Sequence, residues 1–300
     1  MGNGGDLAIV KGTSTPVNIT AGKGADTIVT SGNNVTVDMT GGATKIVANS
    51  GNVNLTNYDA ATGAGIQVDE VSDIERAVQN GNINFGNGIV SLSGATINLG
   101  TSSSESTVVN LFDNQGRKTK VAYTNSDGGT IDATNERENM LLVGSYNSSK
   151  SNGSRLTAGS GNDIAYGGAG DYFDLGAGNN RVYLNETGGA TVAMTATSGR
   201  TEVSGFSSGF DENADKISIN VDGANVSFQN GKIAFSRGAA SLVLNFTGSS
   251  ADLINDDNFI GESADLSEIT PITYDQGEYN NIYGENDSLK GGITVTFTDV

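Results

Sequence analysis

The chain has 300 residues, 43 of them glycine and two proline, with 34 acidic side chains against 16 basic ones and a net charge of −18. That balance argues against nucleic acid and anionic membrane surfaces as partners, because no basic patch or stripe exists to neutralise phosphates. Cysteine, histidine and tryptophan are absent, which removes disulfides, thiolate and imidazole metal sites, and the commonest catalytic bases and nucleophiles.

The length permits one elongated domain or two compact ones. Glycine is roughly twice its usual share of about 7%, without a collagen triplet. Val, Ile, Leu and Phe alternate with Ser, Thr, Asn and Gly at period two, the signature of short half-buried strands. A stack of narrow coils suits this pattern, each burying its interior one layer at a time. No run approaches the length of a membrane-spanning helix, so no membrane insertion is expected. Met1 to Val10 lacks the basic-then-apolar layout of a cleaved signal peptide.

Residues 1–100 read as an N-terminal solenoid segment. Gly2-x-Gly4-Gly5-Asp6 returns 20 residues later as Gly22-x-Gly24-x-Asp26-x-Ile28, about one coil on. Gly32-Asn33-Asn34-Val35 returns as Gly51-Asn52-Val53 at an offset of 19, and Ile28-Val29 as Ile46-Val47 at 18. Gly41-Gly42 stands where a loop is due, yet no acid follows. Residues 73–79 break the pattern as a short helix: Ser72-x-x-Glu75 predicts a capping box, Ile74, Ala77 and Val78 share a face, and Gly81 stops it. Alternating strands resume over 81–100.

Residues 101–200 open with a hairpin, Thr107–Phe112 and Lys118–Thr124 around Asp113-Asn114-Gln115-Gly116. Residues 127–157 follow, running through Gly129-Thr130-Ile131-Asp132-Ala133 and Leu141-Leu142-Val143-Gly144 to a polar loop at 145–154. Then three glycine–acid loops recur at steps of eight to nine residues: Gly159-x-Gly161-x-Asp163, Gly168-x-Gly170-Asp171 and Gly176-x-Gly178-x-Asn180. Alternating glycines turn the backbone through conformations closed to most side chains. Several oxygens converging on one point suit a hard divalent cation, calcium above all.

The loops match the nonapeptide GGxGxDxUx of calcium-binding parallel β-helices, and the chain resembles the RTX (repeat-in-toxin) family of secreted bacterial proteins. The resemblance implies a parallel β-roll in which each nonapeptide forms half a coil and Ca2+ sits between loops one coil apart. It puts Asp163 and Asn180 on one edge and Asp171 on the other, with Gly159, Gly161, Gly168, Gly170, Gly176 and Gly178 shaping the loops. Asn180 stands where the family has Asp, which lowers that site's charge. Gly4, Asp6, Gly22, Gly24 and Asp26 are carried over as a second candidate calcium set. Export by a type I system reading an uncleaved C-terminal segment is likewise implied, and with it an extracellular or cell-surface location.

Residues 201–260 read as an antiparallel cap. Val203-Ser204-Gly205-Phe206, Gly209-Phe210-Asp211 and Asp215-Lys216-Ile217 resemble the stretch that closes many RTX repeat blocks. Three strands are expected over 217–246, with turns at Asp222-Gly223 and Asn230-Gly231; Asp252, Asp256 and Asp257 follow. Residues 261–300 form an acidic tail ending in a strand that pairs within its own fold, serves as an export signal, or adds to an exposed edge of a neighbour by β-augmentation.

The expected fold is therefore all-β, parallel β-roll or β-solenoid segments with an antiparallel hairpin cap and one short helix near 73–79. The expected function is a non-enzymatic, calcium-binding structural protein that assembles with copies of itself into a filament, matrix or surface layer. Alternatives are a cell-surface adhesin that binds a surface glycan through Tyr166, Tyr172 and Tyr183, or the non-catalytic repeat region of a secreted protein.

Overall fold

The computed structural model describes residues 1–11, 15–101, 104–125, 128–145, 153–185, 188–207, 215–219, 225–229, 232–245, 270–274 and 295–297. The protein is all-β, 51% strand and 4% helical, as the period-two patterning demands. It divides into two compact units, Met1–Ile131 and Asp132–Val300.

In the first unit one sheet stacks Leu7–Lys11, Thr27–Ser31, the first half of Lys45–Thr56 and Gly65–Gln67, all parallel. The other stacks Val17–Thr20, Val35–Asp38, the second half of Lys45–Thr56 and Ala95–Asn98. Register alone builds the core, because identical positions of successive coils point the same way. Ile28, Ile46, Ile66 and Leu111 form one inward column, and Val35, Val53, Ile97 and Val90 the other. All eight are buried, each contributing roughly 1.5–3 kcal/mol of apolar burial.

The uneven sequence offsets have a local cause. Thr30 pairs with Ala48 but Ser31 with Ser50, so a bulge adds one residue at the corner. The step returns to 18 at Val35–Val53, because the later copy drops the counterpart of Asn34, a residue held at φ 63°.

Antiparallel hairpins end the first stack. Asn84–Gly86, Ile89–Leu92 and Ala95–Asn98 form one meander. The expected hairpin appears as Ser106–Phe112 and Lys118–Thr124, and it belongs to this unit, since its first strand pairs in parallel with Gly65–Gln67. Asp113 closes its turn: Oδ1 accepts the Gln115 and Arg117 amides at 2.9 and 2.8 Å, and Arg117 Nε donates to Oδ2 at 2.6 Å. The helix runs Ile74–Gln79 with Ile74, Ala77 and Val78 buried. Its N-cap is Asp73 rather than Ser72: the Asp73 carboxylate accepts the Arg76 amide at 3.1 Å. Both residues can cap, and a negative charge at a helix N-terminus favours the aspartate.

The second unit repeats the plan. One sheet stacks Met140–Val143, Ile164–Gly167, Asn179–Leu184, Ser198–Ser204 and Ala239–Asn245 in parallel. The facing sheet stacks Arg155–Thr157, Tyr172–Asp174, Thr191–Met194 and Lys216–Ile219. Leu142, Ala165, Val182, Val203 and Leu244 fill one column, and Leu156, Phe173, Val192 and Ile217 the other, all buried.

One expectation is corrected here. Lys216–Ile219 is not part of the antiparallel cap but the last parallel rung of the second sheet; burying Ile217 completes its column, which an antiparallel excursion would leave open. The cap is the meander Asn225–Gln229, Lys232–Arg237 and Ala239–Asn245, its second turn made by Gly238 at φ 59°. Thr270–Tyr274 pairs with Asn225–Gln229, and Val295–Phe297 with Thr270–Tyr274, both in parallel. The turns Asp222-Gly223 and Asn230-Gly231, the Gly209-Phe210-Asp211 stretch, Asp252, Asp256, Asp257 and most of the tail lie outside the described residues.

Candidate metal centre

Ile164 pairs with Arg181, so Asp163 and Asn180 lie one coil apart on the same edge of the second unit. Asp171 falls between Ile164–Gly167 and Tyr172–Asp174, on the opposite edge. The glycines are required by close stacking of loop on loop. A Cβ on Gly159 would stand 2.0 Å from the Glu136 carbonyl oxygen, and one on Gly178 2.0 Å from that of Gly161. In the first unit a Cβ on Gly22 would meet the Gly2 carbonyl oxygen at 1.6 Å, and one on Gly24 that of Gly4 at 1.8 Å.

Most of the loop acids face backbone donors. Asp26, fully buried, accepts the Asp6 amide of the preceding coil at 2.8 Å through Oδ1 and the amide of Gly22, in its own loop, at 2.9 Å through Oδ2. Asp6 accepts the Gly2 amide at 2.6 Å. Asp171, also fully buried, takes the Ser154 amide at 2.7 Å on Oδ1. Its Oδ2 takes the Ser145 amide at 2.8 Å, the Ser145 hydroxyl at 2.7 Å and the Gly168 amide at 3.0 Å. Asp215 repeats the device, with the Ala190 amide at 2.8 Å and the Ser207 amide at 2.6 Å.

Such a buried carboxylate is stabilised by donors that converge on it. Converging N–H groups form a nest for an anion, the opposite polarity to a calcium site, which needs converging oxygens. The donor sets around Asp26 and Asp171 therefore do not fit a cation. These side chains staple one coil to the next. Asp215, Ser145 and Ser154 were not singled out from sequence as site residues. The acid–x–apolar step of Asp215-Lys216-Ile217 is the legible signal for the first; the two serines carry none, because they act through backbone amides brought close by the coil.

The Asp163 edge has a different polarity. Asp163 Oδ1 accepts the Met140 amide at 2.8 Å, and the Asp163 amide donates in turn to Asn180 Oδ1 at 2.9 Å. Asn180 turns its Nδ2 onto three carbonyl oxygens of its own loop, Leu175 at 3.0 Å, Gly176 at 3.3 Å and Ala177 at 3.1 Å. In the equivalent position one coil earlier, Asp163 has an oxygen, and it carries no proton to donate. Burial pushes the Asp163 carboxyl up to about 6, the Met140 amide offsetting only part of this. Unlike Asp26 and Asp171, whose two oxygens both meet donors, Asp163 meets a backbone donor through Oδ1 alone among the described residues. Among the described residues no three His, Cys, Asp or Glu side chains cluster as a metal site; any ion at Asp163 would be held largely by backbone carbonyls.

The tyrosines near these loops are engaged. Tyr166 is fully buried and stacks on Tyr183 with ring centroids 5.0 Å apart, while the Arg155 guanidinium covers the Tyr172 ring at 4.0 Å. Tyr166 is thus out of reach of any ligand.

No protein-family model matches the chain, and no curated protein matches it. The RTX resemblance rests on the glycine–acid loops and the 203–217 stretch of the sequence.

Proposed function

We propose that the chain is a non-enzymatic structural protein of the cell exterior whose solenoid joins a second copy of itself through its first coil. The observation that carries this reading is the state of that coil. Among the described residues, Leu7–Lys11 and Val17–Thr20 are each paired on one side only, to the coil that follows. Leu7 and Ile9 are 65% and 64% exposed. Ala8, Val10, Val17 and Ile19 point inward yet stay half-buried, whereas Ile28, Val35 and Val37 one coil on are sealed. An unpaired strand edge with apolar residues behind it is a template for another strand.

Charge favours a second copy as the occupant. Residues 1–25 carry Lys11 and Lys23 against Asp6, while residues 261–300 carry eight carboxylates and one lysine. In a chain of net charge −18, a segment with an excess of lysine attracts an acidic segment of another copy, and acidic segments repel one another. Calcium enters this reading at one place, the Asp163 loop, where it would offset a buried carboxylate. The absence of histidine and cysteine supports a structural role over a catalytic one, and the cysteine-free, glycine-rich coils suit an extracellular polymer.

Light scattering after size exclusion, with negative-stain microscopy at high protein concentration, tests the assembly. Oligomers or filaments are expected, and Leu7→Lys together with Ile9→Pro should return monomers with an unchanged melting temperature, since both side chains are exposed. Wild-type protein that stays monomeric at every concentration overturns the reading.

A further inference from the structure

We propose that Asn180 is a built-in replacement for a cation, its carboxamide closing the 175–178 loop from within so that this loop folds without metal. The orientation of the amide is dictated on both sides. Oδ1 must accept, because the Asp163 amide donates to it at 2.9 Å. Nδ2 must donate, because three carbonyl oxygens meet it at 3.0, 3.3 and 3.1 Å. Converging carbonyls are what a hard cation would require, and two N–H hydrogens shared among three oxygens supply the positive end of that interaction. The side chain is 1% exposed, so its carboxamide is sealed from bulk solvent.

The same device recurs where no glycine–acid motif exists. Asn110 Nδ2 bridges the Ala60 and Ala64 carbonyls, both at 2.8 Å. Asn125 Nδ2 bridges those of Thr101 and Ser104 at 3.0 and 2.9 Å. Both side chains are buried. Buried carboxamides close carbonyl-lined loops in both units, and Asn180 does so where the RTX pattern calls for an acid and a metal. Asp163 is the internal contrast: the same position, the same amide contact through Oδ1, but an oxygen in place of the NH2. The inference does not depend on self-assembly, since a roll that folds without metal at this loop can assemble or remain single.

The test compares thermal unfolding in chelator and in millimolar calcium chloride, with calorimetric titration of calcium alone. Asn180→Asp should melt about 5 °C below wild type in chelator, recover most of that loss with calcium, and bind one more calcium than wild type. Asn180→Ala should lose a similar amount and recover nothing. If Asn180→Asp is unfolded in chelator, calcium should refold it. A wild-type calcium response abolished by Asp163→Asn and unaffected by Asn180→Ala also favours the proposal, since it places the ion outside the 175–178 loop. The proposal is overturned if Asn180→Asp melts like wild type in chelator, if calcium neither stabilises nor refolds it, or if Asn180→Ala removes a calcium that wild type binds.

Discussion

The backbone amide of Asp163 donates to Asn180 Oδ1 at 2.9 Å across one full coil, and Met140 stands in the same relation to Asp163 at 2.8 Å. The side chain at each loop end thus latches the coil before it. What the second side-chain atom faces then decides the electrostatics of the loop.

Asp171 is the heaviest staple, with four donors on one carboxylate. Asp171→Ala should cost about 3–5 kcal/mol, since it strands several buried donors at once. Urea denaturation measures it, and a loss under about 1 kcal/mol would show the latch to be dispensable.

Gly178 and Gly116 both have positive φ, 96° and 77°, but only Gly178 lies against another loop. A Cβ there would sit 2.0 Å from the Gly161 carbonyl oxygen, while one on Gly116 meets nothing within 4 Å. Gly116→Ala should cost about 1 kcal/mol for its backbone conformation alone. Gly178→Ala should cost more than about 3 kcal/mol, because stacked loops must separate. Equal losses in denaturant melts would contradict the stacking.

The Thr30 hydroxyl is buried without a hydrogen-bond partner among the described residues. Thr30→Val keeps the shape and removes the stranded group, so it should stabilise the first unit by about 1 kcal/mol. A lowered denaturation midpoint would mean that the hydroxyl is satisfied in solution.

Stability should rise as pH falls from about 7 toward 5. Burial pushes Asp163 and Asp215 up to about 6 from an ordinary 3.8. Above pH 6 both folded and unfolded states are ionised and the folded state bears the full penalty. Between the two values the folded state holds protons that the unfolded state has lost, so acid favours folding, by on the order of 2 kcal/mol per group. Asp38, held low by the Asn57 amide and Thr40, and Asp132, held low by Thr134, act the other way. Their contribution disappears as pH falls through their lowered folded values. Denaturant midpoints at pH 7.5 and 5.0 check the sign, and Asp163→Asn with Asp215→Asn should flatten the difference.

Much of this molecule is legible in its residues. Alternation such as Thr27-Ile28-Val29-Thr30 makes strands half-buried, and the 17-residue spacing of Asp163 and Asn180 puts them on one edge. The Asp113–Gly116 turn names its own hairpin. The last rung is harder to read, because 25 residues separate Thr191 from its partner Lys216 and an insertion of that length erases the period.

The sequence by itself determined the coils, their edges and where glycine is obligatory, since these follow from local steric rules and the two-residue alternation of strands. Only the tertiary structure decided the polarity of each loop. Whether a side chain such as Asp171 or Asn180 meets amide hydrogens or carbonyl oxygens depends on how the peptide planes of two neighbouring coils are turned. That rotation is set by packing between coils and leaves no mark in the spacing of residues.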